Sequence, residues 1–325
     1  MTLQGPTQVI AAKSRIDRVA GRGIRERDRK LRDAERRRPN RREVDGYDAF
    51  IARLCKVHQV EFERIDWDRL EAEGPVVPAV ARDAVSSVAR QVLANYRPSL
   101  FDAVLGLERE KRRALMDKVV EAAKADAELY GLAKAQADAH NRMLSLAEGV
   151  RALKVEAIAG VLNANGAAAA LKDVVEGFRL YADGANRLIG QIDLWEFDAL
   201  PEEACTTAGY APVAQADRCE IQLANACAVV LRAAVEVLRA TPVPAVEILA
   251  RLCRPGGLVE ADLEPVLHMK VTAESLRKLQ LHKLDAAPTV AALGAQIDWN
   301  SSRGLAPIRI DDPALLRLTA PRVVA

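Results

Sequence analysis

CEIQLANACAVVLRAAVEVLRATPVPAVEILARLC, residues 219–253, decides what kind of fold this chain builds. Its first part, 219–242, carries apolar side chains on nearly every side of a helical projection, which predicts a helix buried on most faces. After Thr241-Pro242, Val246–Leu252 reads as a strand. Pro265–Val271 is its hairpin partner, with Arg254-Pro255-Gly256-Gly257 as the turn. A buried helix that feeds a hairpin makes this part of the chain a small α/β unit.

Working outward, Leu188–Phe197 alternates at period 2 in its second half, as a half-buried strand should. Downstream, Thr272 is placed to cap a helix over 273–281, with Glu274 and Lys278 as an i,i+4 pair. A short helix near 287–294 and a final strand, Ala306–Ile310, complete the unit, and an irregular tail follows.

Upstream the grammar is helical. A helix over 43–63 places Tyr47, Phe50, Ile51, Leu54, Val57 and Val60 at helical spacing. Trp67 then anchors a strap in which Gly74-Pro75 and Pro78 force an extended path. Helices follow over 79–95 and 107–162. The longer one has a diluted heptad seam of Leu115, Val119, Ala122, Leu129, Ala133 and Ala137, and Gly149 as a place to bend. Asn163-Ala164-Asn165-Gly166 is a stop, and a further helix is predicted over 167–181. The fold class is therefore α+β, mostly α: an elongated helical arm and a helical hairpin or bundle, followed by a small α/β module. The boundaries are 1–42 for the basic arm, 43–185 for the hairpin with its strap, 186–311 for the module and 312–325 for the tail.

Charge separates the same parts. Residues 13–42 hold fourteen Lys/Arg against five Asp/Glu, a balance of +9, while the rest holds 33 against 40. Within the arm, Glu26–Lys30, Asp28–Arg32 and Asp33–Arg37 are acid-before-base pairs that support a helix over 14–38. Pro39 ends it. Arg22, Arg25, Arg29, Arg32, Arg36, Arg37, Arg38, Arg41 and Arg42 are the candidate nucleic-acid-binding residues, because guanidinium groups in series suit a phosphate backbone. Anionic lipid headgroups are a weaker fit, and a self-paired solvated arm explains the same pattern.

Five cysteines without a CxxC pair predict reduced thiols and a cytoplasmic protein. No signal-peptide pattern opens the chain, and no uninterrupted apolar stretch has the length of a membrane span.

Three stretches, IDWDRLEAEGPVVP (65–78), ANYRPSLFDAVLGLEREKRRALMDKVVEAAKADAELY (94–130) and CAVVLRAAVEVLRATPVPAVEILA (227–250), resemble a family of uncharacterised bacterial proteins. Its members carry a charged coiled-coil arm, an Asp-Trp segment followed by prolines, a helical bundle and a closing helix-to-hairpin unit. The resemblance covers about residues 45–311. It implies this segmentation and carries no activity, ligand or catalytic residue.

Catalytic patterns are sparse. His58, His140, His268 and His282 lack ligand spacing, and no HExxH, GxSxG, GxxxxGK[ST] or GxGxxG pattern occurs. Neither a metal site nor a cofactor is expected. A helix, strand hairpin and helix over 217–282 loosely match a metal-dependent nuclease core. Glu247 and Lys270 sit on its two strands, yet no acid stands two residues before the lysine. The functional expectation is a non-enzymatic scaffold or interaction protein whose partner is another protein or a second copy of itself. Nucleic-acid association through the arm is the alternative, and a divergent nuclease or other hydrolase the second.

Overall fold

The computed structural model describes residues 7–11, 39–99, 106–184, 186–253 and 263–319. Those residues form two compact units, one of residues 66–147 and one of the flanking segments 1–65 and 148–325.

The smaller unit opens with helix α2, Trp67–Glu73, whose first residue is the buried tryptophan of the strap. (Helix α1, Arg41–Lys56, lies in the other unit.) Asp66 caps α2 by accepting from the Arg69 amide at 2.9 Å. The extended path after Gly74 is held by side chains of α4, Glu108–Arg151. His140 Nε2 bonds the Gly74 carbonyl at 2.9 Å, and the Asn141 amide bonds both the N–H and the carbonyl of Val76. Helix α3, Ala84–Asn95, has no cap of its own, since the Asp83 side chain makes no capping bond. Asp126 of α4 supplies one, accepting from the Val85 and Ser86 amides at 2.9 and 2.7 Å. These backbone N–H bonds, Val85 first, hold the Asp126 carboxyl below its ordinary range against the opposing effect of burial.

The predicted 107–162 helix is two helices. Helix α4 stops at Arg151, and α5, Val155–Ala164, starts after a turn in which buried Leu153 adopts φ 51°. Gly149 contributes closeness: a Cβ there would lie 2.6 Å from Ala157 Cβ. The stop at Asn165-Gly166 is present, with Gly166 at φ 75° before α6, Ala167–Lys172.

The larger unit is built on a seven-stranded sheet: β1 Thr7–Ile10, β2 Val175–Asp183, β3 Arg187–Leu194, β6 Ala245–Cys253, β7 Leu263–Thr272, β8 Gln296–Asn300 and β9 Gly304–Ala306, in that spatial order. All neighbours are antiparallel except β3 and β6, which run parallel. Their crossover contains a separate hairpin, β4 Glu203–Thr206 with β5 Gly209–Pro212, and then α7, Gln215–Ala240. The sheet is thus larger than the small module expected over 186–311. It takes in Val175–Asp183, read from sequence as the end of a helix, because β2 is buried on both faces and shows no polar alternation. It also takes in Thr7–Ile10, read as part of the arm. The expected strand over 306–310 ends at Ala306, and Pro313–Thr319, read as tail, forms α10. The hairpin of β6 and β7, the Thr272 cap and the Glu274–Lys278 pair are as expected. Two short helices, α8 Ala273–Arg277 and α9 Ala286–Ala292, follow β7.

Helix α7 is the core element, and sixteen of its 26 residues are buried. It is the one described helix long and apolar enough to cross a membrane, and 78% of its most apolar window is buried inside the fold. It packs on β3 and β6 through small and branched side chains. Gly190 admits Ile248 and Phe178 on that face of the sheet, where a Cβ would meet Ile248 Cδ1 at 2.7 Å. Residues 57–65 run along α7, tied by arginine-to-carbonyl bonds in both directions. Arg232 donates to the Val57 carbonyl and Arg239 to the Glu63 carbonyl. Arg64 closes the C-terminal end of α7, donating to the carbonyls of Leu238 (3.0 Å), Thr241 and Val243 (2.7 Å). The orphan carbonyls of a helix end are satisfied here by a neighbouring side chain.

Candidate functional site

Side chains alternate across a strand, so the odd-numbered residues of β2, β3 and β6 share the sheet face opposite Phe178, Gly190 and Ile248. That face is not an ordinary core. Its centre is apolar, formed by Tyr181, Ile189 and Leu249, and Ile308, Ile310 and Leu315 cover it. Charged groups stand at both ends.

At one end Arg187, the first residue of β3, is a hub. Its guanidinium donates to both oxygens of Glu247, Nε to Oε1 at 3.1 Å and Nη2 to Oε2 at 2.7 Å. It also reaches Asp312 Oδ2 at 2.8 Å and Asp183 Oδ2 at 3.3 Å. Glu247 is further approached by Lys270 Nζ at 3.3 Å and His268 Nε2 at 3.6 Å. Burial works to raise the Glu247 pKa. The adjacent His268 ring, the bonds from Arg187 and the positive charges of Arg187 and Lys270 outweigh it and hold the carboxyl at about 2. Asp312 is likewise lowered: burial opposes, while Arg187 and the amides of Ala314 and Leu315 favour the charged form. Glu247 first, and Asp312 with it, raise the Arg187 pKa above its ordinary value against the opposing effect of burial. A cleft of about 600 Å³ opens beside the hub, lined among others by Asp183, Asn186, Arg187, Glu247, Lys270 and Asp312.

At the other end the charges are buried. Arg251 Nε and Nη2 both donate to Asp193 Oδ1, at 2.9 and 2.6 Å. Arg179 Nη2 lies 3.6 Å from Asp193 Oδ2, and Arg179 Nη1 donates to Gln191 Oε1 at 3.1 Å. The Tyr181 hydroxyl donates to the same Gln191 oxygen at 3.0 Å, and Gln191 Nε2 donates to the Leu318 carbonyl at 2.9 Å. Arg179, Gln191, Asp193 and Arg251 are each less than a tenth exposed. Sheet register makes the network: Asp193 pairs with Arg251 across the parallel ladder, and Arg179 with Gln191 across the antiparallel one.

Acidic side chains therefore do converge where their spacing in sequence suggested none. Glu247 and Lys270, the pair singled out on the hairpin, are cross-strand neighbours. Asp183 and Asp312 join them from elements 64 residues upstream and 65 downstream of Glu247. The three carboxylates are spent on a guanidinium, and among the described residues no group of three potential ligands is arranged to hold a metal ion. A carboxyl held at about 2 is also far from the range in which it would exchange protons at neutral pH. None of the five cysteines forms a disulfide, and four of them are buried. Burial pushes the thiol of Cys227 up to about 12, and that of Cys219 upward against the pull of Arg218, so neither is poised as a thiolate nucleophile.

Of the candidate phosphate-binding arginines, Arg22, Arg25, Arg29, Arg32, Arg36, Arg37 and Arg38 lie outside the described residues. Arg41 and Arg42 open α1 and are exposed, and Arg41 is 3.9 Å from Asp45. The hub went unread because its members are single charges in three separate strands and a loop. The one local signal was the polar alternation Arg187, Gln191, Asp193 along β3, with Glu247 and Arg251 along β6.

Comparisons with protein-family models, with curated proteins and with solved structures match nothing to this chain.

Proposed function

We propose that this chain is an interaction protein that self-associates through its 66–147 unit. The observation carrying this reading is the distribution of exposed apolar side chains. Of the ten large hydrophobic residues exposed among the described residues, nine lie in that unit. Val85, Val88 and Val92 form a stripe on α3, each about half exposed, and Met116, Val120, Leu129 and Leu132 stand out on α4. A helical pair that leaves such residues in water fits a partner with the same pattern, and a four-helix arrangement of two hairpins would bury them. Light scattering on the purified chain tests this directly. The wild type is expected to run as a dimer or larger, and Val88→Asp/Val92→Asp as a monomer with unchanged helix content. A wild type that is monomeric at micromolar concentration overturns the reading.

A second reading rests on Arg41 and Arg42. Cations in the first turn of a helix oppose its dipole, so helix stability does not explain their position. Phosphate contact with nucleic acid would. Removing residues 1–42 is a poor test, because Thr7–Ile10 is a strand of the sheet. Replacing Arg36, Arg37, Arg38, Arg41 and Arg42 by serine is the cleaner one. Binding to duplex should fall, and the log–log salt slope should shrink by about 0.9 for each lost phosphate contact. Unchanged retention removes the idea.

A further inference from the structure

We infer that the two copies meet through α4, which pairs with α4 of the second copy in antiparallel sense, the two-fold axis passing between Val120 and Ala123. This geometry rests on the self-association reading and specifies how it is made.

Helix α4 carries two apolar lines, one residue apart. Of the heptad seam read from the sequence, Leu115, Val119, Ala122, Ala133 and Ala137 are buried or partly buried, and only Leu129 is exposed. Met116, Val120, Ala123 and Ala127 form the second line, and all four are exposed, Met116 by 54% and Val120 by 56%. Their steps of four, three and four keep them on one edge of the helix, the spacing of a coiled-coil seam. One seam is thus used inside the unit, and a second, shorter one is left in water.

Charge says what covers it. Arg113, Asp117, Lys124 and Glu128 flank the exposed line on one side, in the order plus, minus, plus, minus. All four are exposed, and none has an ion-pair partner among the described residues. Read backwards, the order inverts. An antiparallel copy therefore brings Asp117 beside Lys124 of the second chain and Arg113 beside Glu128, and two-fold symmetry makes each contact twice. The same register lays Met116 on Ala127 and Val120 on Ala123, large against small. A parallel copy would set Arg113 against Arg113 instead, like charge on like. Beyond these pairs Arg109 would face Lys134, which confines the contact to the stretch between them.

Cysteine cross-linking of the full chain tests this, in a Cys55→Ser background because Cys55 is the one cysteine that is not buried. Positions 116 and 127 are 11 residues apart in sequence. That is about 16 Å along a helix, whereas a disulfide needs Cα atoms within about 7 Å. Met116→Cys and Ala127→Cys chains should each stay uncross-linked alone under mild oxidation, and should form a mixed disulfide dimer when combined. Sedimentation equilibrium reads the charge pairs. Asp117→Lys should weaken the dimer about tenfold or more, and Asp117→Lys/Lys124→Asp should restore it. The substituted side chains at 116, 117, 124 and 127 are exposed, and circular dichroism confirms that each variant keeps its helix content. A dimer that gives same-residue disulfides at 116, or no mixed disulfide, overturns this geometry and leaves self-association standing. A charge exchange that restores nothing does the same. A wild type that is monomeric at micromolar concentration overturns both.

Discussion

Arg187 and Glu247 meet across the parallel β3–β6 ladder in a two-point ion pair, with N–O distances of 3.1 and 2.7 Å, at the rim of a charged sheet face. Glu247 is nearly buried and Arg187 only partly, so losing the arginine leaves a carboxylate that water cannot fully reach. Arg187→Ala is expected to cost about 2–4 kcal/mol, toward the lower part of the range for broken buried pairs because Lys270 and His268 remain. Urea titration measures it. A loss under about 0.5 kcal/mol would mean that the pair is no stronger than a surface one.

The same pair sets a pH dependence. Glu247 is held at about 2 from an ordinary value of 4.5, so the unfolded state binds the proton first as pH falls. Its stabilising contribution is complete above about 4.5 and is lost progressively as pH drops toward about 2. Melting temperatures of the wild type and Glu247→Gln should therefore lie furthest apart near neutral pH and converge toward pH 2. Curves that stay parallel over that interval would show that Glu247 is not the group titrating.

Asp126 is the borrowed cap of α3, and Asp126→Ala strips the Val85 and Ser86 amides of their acceptor. The expected loss is about 1–2 kcal/mol. Hydrogen exchange in α3 should accelerate by a factor of about 5–30, while β3 and β6 keep their protection. Its lowered pKa gives the sign with pH: the cap is complete above the ordinary aspartate range and weakens in acid.

Arg64 serves three carbonyls at the end of α7. Arg64→Ala should destabilise by about 2 kcal/mol, since several partly buried acceptors are left unsatisfied at once. Arg64→Lys should recover little, because an ammonium cannot span the three positions as a planar fork does. Denaturant unfolding of the two variants separates these outcomes.

Gly149 is required by closeness, since its φ is ordinary. Gly149→Ala brings a Cβ to 2.6 Å from Ala157 Cβ and should cost about 1–3 kcal/mol in overpacking, against about 0.5–1 kcal/mol gained in helix propensity. Ala157→Gly in the same chain should restore most of the loss. If the double variant is no better than the single, the contact is not the cause.

Local rules carried the reading of elements whose signals lie within a few residues. The Thr272 cap, the Glu274–Lys278 pair, the stop at Asn165-Gly166 and the apolar run of α7 are all of this kind. The same rules failed at β2, because a strand covered on both faces has the same apolar density as a buried helix. They failed at Leu153 too, where a leucine holds a left-handed turn only because the surrounding core encloses it. Strand β1 was invisible in Thr7–Ile10, four residues whose only claim to be a strand is the ladder offered by β2.

What the sequence by itself determined was the alphabet of elements: a buried helix, a strand hairpin after it and long helices before it. Periodicity and capping act over one or two turns of chain, so they are written locally. Only tertiary structure decided that Asp183, Arg187, Glu247 and Asp312 share one cleft, and that Arg179, Gln191, Asp193 and Arg251 share one buried network. Those groups are brought together by strand order and register, which depend on how the whole sheet closes over α7. Electrostatic energy falls off over a few ångströms, and separation along the chain says nothing about it.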